Sequence, residues 1–165
     1  MRPKFLLDGM LGGLTRWLRI CGYDAEYLRN ASDENLIRRA ADEERILLTR
    51  DQLLYRKAVR SGVRALLVEG ESDAEKLASV SRRFGLKLDP DRSRCPMCDA
   101  PLVAVGKDAV QGRVPPNTFD AYDEFWICSS CGKVYWRGSH WSNIVETLRE
   151  ASRRAGSADD AEQPL

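Results

Sequence analysis

Two Cys-x2-Cys pairs, Cys95-Pro96-Met97-Cys98 and Cys128-Ser129-Ser130-Cys131, constrain what this chain can fold into more than any other feature. Two thiolates at that spacing bind one metal from a tight loop, and two such loops complete a tetrahedral site. Turn residues follow each pair: Asp99 after the first, Gly132-Lys133 after the second. Cys95, Cys98, Cys128 and Cys131 are therefore expected to hold one Zn2+. Four thiolates leave no open coordination position, so the ion would be structural rather than catalytic. The 29 residues between the pairs exceed the spacing of a compact finger. They predict an extended ribbon, with strands over residues 102–105, 124–128 and 133–136. So small a module with so few aliphatic residues needs a metal staple. The fifth cysteine, Cys21, lies on the apolar face of a predicted helix and is expected in the core.

Upstream of the ribbon, apolar runs alternate with helical periods. Strands are predicted over residues 4–8, 25–28, 45–50 and 63–68. Helices are predicted between them, over residues 10–20, 33–44 and 53–61. Ser32 is a candidate N-cap for the second helix, and Gly22 and Gly62 stop the first and third. Ser72-Asp73-Ala74-Glu75 has the form of a capping box and opens a fourth helix that ends before Gly85. Such alternation over some 88 residues predicts an α/β domain, a parallel sheet with helices on both faces. The polar run Asp89-Pro90-Asp91-Arg92-Ser93-Arg94 reads as a linker. The predicted organisation is thus an α/β domain over 1–88, a zinc ribbon with a C-terminal helix over 89–153, and a disordered tail over 154–165.

Charge is uneven along the chain. Residues 1–88 carry 17 Lys and Arg against 13 Asp and Glu, whereas the whole chain carries 26 against 25. Most of the excess is Arg, whose planar fork suits phosphate. No apolar run approaches the length of a membrane span, and the N-terminus lacks a signal-like apolar region. A cytoplasmic protein with no membrane partner is expected.

Ligands of open parallel sheets bind at the carboxyl ends of the strands. That rule points to Asp8, at the end of the first strand, and to Asp51, after the third. Asp33 opens the second helix at the same edge. Three acids there repel one another unless a cation joins them, and Mg2+ or Mn2+ is the natural partner for carboxylate oxygens. Each acid also has a simpler role: Asp8 ends a strand, Asp33 complements a helix dipole, and Asp51 caps a helix. In the ribbon, residues 135–141 collect aromatics, Arg137 and His140, the only histidine. Such a run can stack bases and touch phosphate. Packing of the ribbon on the first domain is the favoured reading for Trp136 and Trp141, and His140 is left open between the two.

Asp33-Glu34-Asn35-Leu36-Ile37, Ala40-Ala41 and Arg45-Ile46-Leu47-Leu48-Thr49-Arg50-Asp51 resemble the acidic motifs of PIN-domain nucleases. Asp8 matches their first acid. The whole is closer still to the Mut-seven C-terminal RNase domain family, a short PIN-like domain followed by a zinc ribbon. Phe5-Leu6-Leu7-Asp8-Gly9-Met10-Leu11-Gly12, Trp17-Leu18-Arg19, Gly22-Tyr23-Asp24, the two cysteine pairs and residues 131–140 carry that resemblance. It implies a metal-dependent ribonuclease in which Asp8, Asp33 and Asp51 hold Mg2+ or Mn2+ and RNA is the partner. Arg19 and Arg50 are the candidates for phosphate contact, with Arg137 and His140 in the ribbon. Only 24 residues separate Asp8 from Asp33, which leaves no room for the extra acid-bearing helix of typical PIN domains. Asp24 and Glu34 are the candidates to replace that acid. The competing reading is a non-catalytic RNA- or ribosome-binding module.

Overall fold

A computed structural model describes residues 2–161, with the backbone alone beyond residue 156. The first module is built from β1 (Lys4–Leu7), α1 (Gly12–Ile20), β2 (Asp24–Tyr27), α2 (Asp33–Asp42), β3 (Ile46–Thr49), α3 (Gln52–Arg60), β4 (Ala65–Leu67) and α4 (Asp73–Phe84). Its four strands form one parallel sheet in the order β2-β1-β3-β4. The apolar runs of β1 and β3 are the central strands, because a parallel sheet covered on both faces buries every side chain of its middle. Period-two alternation then sorts them. Phe5, Leu7, Ile46 and Leu48 face a core shared with Leu14, Leu18, Leu77 and Val80 of α1 and α4. Leu6 and Leu47 face the opposite core, with Leu36 and Ala40 of α2 and Leu54 and Ala58 of α3.

Local chemistry sets the helix ends. Ser32 caps α2 by accepting from the Asn35 N–H at 3.1 Å, and Ser72 caps α4 by accepting from the Glu75 N–H at 3.1 Å. The reciprocal half of the predicted capping box does not form on Ser72. The Glu75 carboxylate accepts instead from the Glu71 N–H, one residue earlier. Asp73 accepts from the Trp17 indole N–H at 3.1 Å and ties α4 to α1.

The ribbon consists of β5 (Leu102–Val105), β6 (Phe125–Cys128) and β7 (Val134–Tyr135), an antiparallel sheet in that order. A short helix, α5 (Pro116–Ala121), lies in the long β5–β6 connection and was not expected from the sequence. Pro116 at its first turn supplies the fixed φ that starts it.

α6 (Trp141–Ala161) corrects two expectations. It continues helical to residue 161, past the start predicted for a disordered tail; residues 162–165 lie outside the described residues. Although the sequence groups it with the ribbon, it packs along α4 and contributes Leu148 and Ala151 to the main core of the first module. Among the described residues no helix is long and apolar enough to cross a membrane.

Candidate zinc centre and carboxylate edge

Each cysteine pair forms the same local structure. In the first, the Asp99 N–H donates to the Cys95 carbonyl at 2.8 Å; in the second, the Gly132 N–H donates to the Cys128 carbonyl at 3.1 Å. Asp99 (φ 71°) and Gly132 (φ 74°) both adopt the left-handed conformation that turns the loop back. Glycine enters it freely, and aspartate is among the few other residues that tolerate it. The Cys95 N–H donates to the Ala100 carbonyl and the Cys128 N–H to the Lys133 carbonyl, each at 2.9 Å. The duplicated geometry brings the four sulfurs within 4.8 Å of one another. Cys98 Sγ and Cys128 Sγ are 3.4 Å apart, and Cys95 Sγ and Cys131 Sγ are 3.8 Å apart. A tetrahedron with zinc–sulfur bonds of about 2.3 Å has edges of about 3.8 Å, so the donor set fits zinc.

The surroundings of the sulfurs support a cation. Burial opposes ionisation of Cys128, but backbone N–H groups of Cys131 (3.3 Å) and Ser130 (3.4 Å) bring its thiol down to about 6. Burial likewise opposes ionisation of Cys95, and the Tyr135 hydroxyl at 3.1 Å helps lower it. Cys131 goes the other way: despite the Lys133 N–H, the neighbouring sulfurs push it up to about 11. Without a cation the four thiols do not all ionise; a divalent metal removes that repulsion.

The zinc loops are pinned to the first module by arginine. Arg19 of α1 donates through Nε to the Ala25 carbonyl at 2.8 Å and through Nη1 to the Pro96 carbonyl at 3.0 Å. It lies 3.7 Å from Asp99, which also accepts from the Ala25 N–H at 3.1 Å and from Arg94 at 3.0 Å. Burial and the adjacent Asp24 carboxylate push Asp99 up to about 6. Gly22 (φ 84°) sits at the same junction. A Cβ there would lie 2.5 Å from the Arg92 carbonyl oxygen, so only glycine lets the two modules approach this closely. Arg19 is thus a structural pin: its guanidinium is mostly buried and already shared among three partners. Arg19→Ala is expected to destabilise the protein by about 3 kcal/mol, because it strands two carbonyls and removes one of the two cations beside Asp99. Chemical denaturation of the zinc-loaded protein checks this.

At the carboxyl edge of the first sheet, strand order places β1 and β3 side by side although they are not consecutive in sequence. Chains leave these two strands in opposite directions, which opens a crevice where such sheets bind ligands. Asp8, just past β1, is 7% exposed. One of its oxygens accepts from the Met10 N–H at 3.1 Å, the other from the hydroxyl of fully buried Thr49. The same hydroxyl accepts from the Asp51 N–H at 3.0 Å, so Thr49 links the two acids. Asp51 is exposed and N-caps α3 by accepting from Leu53 N–H at 2.8 Å. Asp33, in the first turn of α2, accepts from Lys57 Nζ of α3 at 3.1 Å. That hydrogen bond, reinforced by Asp33, Glu34 and Asp51 charge, raises the Lys57 ammonium above its usual range.

Among the described residues, the thiols are the one set of three or more potential ligands whose donor atoms lie close enough to share an ion. Asp8, Asp33 and Asp51 share an edge without converging to that degree. Asp24 is removed from consideration by its position: it begins β2, at the opposite end of the sheet, and accepts from Arg45 at 2.7 Å. Glu34 remains at the edge, exposed beside Asp33. Lys57 was not singled out in the sequence; its spacing from Asp51 on α3 carries no signal until α2 is placed beside α3.

The other two arginine candidates are also engaged. Arg50 donates to the Gly70 carbonyl and to Glu71 at 3.2 Å, bracing the loop after β4 rather than standing free for phosphate. Arg137 pairs with Asp91 at 2.5 Å and lies over the Trp141 and Trp126 rings, 4.4 and 5.4 Å from their centroids. Arg137 thus braces the two indole rings and is tied to the linker through Asp91. His140 is exposed.

Comparison with known proteins agrees with the architecture. No curated protein and no solved structure gives a significant match. The profile of the Mut7-C RNAse domain matches residues 3–148, which include the parallel sheet, the carboxylate edge and all four thiols. With that match running through both modules, the chain belongs to the Mut7-C RNAse domain family.

Proposed function

We propose that the chain is a PIN-like, metal-dependent ribonuclease whose chemistry belongs to the Asp8–Asp33–Asp51 edge and not to the zinc centre. The observation that carries this reading is Asp8: a carboxylate 7% exposed at the point where β1 and β3 diverge, joined through Thr49 to Asp51. Among the described residues Asp8 has no arginine or lysine partner; a buried acid so placed is an expensive feature, and such features concentrate at functional sites.

The donor set fits a hard divalent cation, because Asp33 Oδ1 and Asp51 Oδ2 accept no hydrogen bond among the described residues. Mg2+ or Mn2+ bound there would supply charge neutralisation at the phosphate and an acidified water. Thr49 orients Asp8, and the α3 N-terminus orients Asp51. Lys57 pairs Asp33 and offsets the negative charge of this edge, and it would yield that carboxylate to a bound cation. Hydrolysis adds water across the phosphodiester and leaves a 5′-phosphate and a 3′-hydroxyl.

A second reading, a non-catalytic RNA-binding module, is favoured by one specific contact: Lys57 already pairs Asp33. Labelled single-stranded RNA in Mn2+ separates the two. Asparagine caps helices as well as aspartate does, so Asp51→Asn protein keeps α3. It is expected to lose most of its cleavage. Cleavage at the wild-type rate would exclude the edge as the reaction centre, and no cleavage by wild-type protein would favour the binding module.

A further inference from the structure

The cations expected to meet RNA in the first module are spent on structure: Arg19 on the zinc loop, Arg50 on the loop after β4. Unspent polar groups gather elsewhere. A cleft of about 450 Å3 opens in the second module, between α5, the end of β7 and the start of α6. Trp136, Trp141 and Tyr122 give it aromatic walls, and Lys133, His140 and Ser139 give it polar groups. Among the described residues none of the Trp136 indole N–H, the Tyr122 hydroxyl, the Ser139 hydroxyl, the Lys133 ammonium or the His140 imidazole has a hydrogen-bond or ion-pair partner. No carboxylate lines the cleft. Arg137 lies over Trp141 without lining the cleft, so it braces that wall. Gly138 lets the Trp136 indole lie against the backbone, where a Cβ would come within 2.8 Å of the indole nitrogen and displace the ring.

We propose that this cleft is a nucleotide subsite for single-stranded RNA, with a base against the aromatic walls and a phosphate at Lys133 and His140. Aromatic walls with few convergent donors are what an unstacked base needs, and a duplex keeps its bases stacked inside. A cation with no acidic neighbour in the cleft gives the phosphate its counter-charge. The subsite depends on RNA being the substrate but not on the aspartates.

The test is fluorescence anisotropy of a labelled twelve-nucleotide oligouridylate on the full-length, zinc-loaded protein without added Mg2+ or Mn2+. Trp136→Leu is expected to weaken binding about tenfold. Lys133→Gln is expected to weaken it several-fold and lower the salt slope by about 0.7, the signature of one lost single-strand phosphate contact. Lys133 and His140 are exposed, so Lys133→Gln and His140→Ala keep the test open if Trp136→Leu fails to fold. Wild-type affinity in both of these variants, with zinc content unchanged, overturns the proposal. So does equal affinity for duplex RNA, or no binding by wild-type protein. Binding is read without a divalent cation and cleavage with one, so failure of this subsite is distinguishable from failure of the proposed reaction centre.

Discussion

Cys128→Ser protein is expected to lose its zinc and the fold of its ribbon while the parallel sheet stays folded. Cys128 ends β6 and is 2% exposed. It accepts two backbone N–H groups and faces Cys98 at 3.4 Å, so it is the best-organised of the four sulfurs. The ribbon has little else to hold it. Its strands contain four, four and two residues, and three such short strands are marginal without support. Structural zinc supplies roughly 10–16 kcal/mol of apparent binding energy in small modules, and that energy is folding energy. Serine removes a thiolate and leaves three, which bind zinc far more weakly. Metal analysis should fall well below one zinc per chain, and amide protection should vanish over residues 95–135. The first module should persist, because its two cores are complete without the ribbon and α6 reaches it directly through Leu148 and Ala151. Retention of one tightly held zinc with an intact ribbon would sink the four-thiolate assignment.

Asp8→Asn should have the opposite profile: a folded, zinc-loaded protein without cleavage. The asparagine oxygen can still accept from the Met10 N–H, and its amide can donate to the Thr49 hydroxyl, which reverses its role. The change in stability should stay within about 1 kcal/mol. What disappears is the negative charge at the divergence of β1 and β3. Cleavage in Mn2+ should fall at least about a thousandfold, equivalent to about 4 kcal/mol of transition-state stabilisation. Single-turnover cleavage of labelled RNA measures this, with thermal denaturation as the check on folding. Cleavage at the wild-type rate would move the chemistry away from this edge.

The contrast between the arginines and the cysteines explains what could be read early. Cysteine ligands act within a few bonds of the backbone, so C-x2-C spacing alone sets which way two sulfurs point. The left-handed residues after each pair, Asp99 and Gly132, were legible as turn chemistry for the same reason. Arg19 and Arg50 have long side chains, and their partners Pro96 and Gly70 are 77 and 20 residues away. Nothing local distinguishes an arginine waiting for phosphate from one closing a loop. The cleft of Trp136, Trp141 and Tyr122 was half visible: the aromatic run stood out, but its concavity needed α5, which the sequence concealed.

By itself the sequence determined the β/α alternation, the helix cap at Ser32 and the set of four cysteines that come together. All of these follow from short-range periodicity, backbone conformation or ligand spacing. The tertiary structure alone decided that α6 belongs to the first module's core, that Asp24 stands at the wrong end of the sheet, and that Lys57 meets Asp33. Each depends on which elements become neighbours. Neighbourhood is set by the sum of many buried contacts over the whole chain, and no single segment carries it.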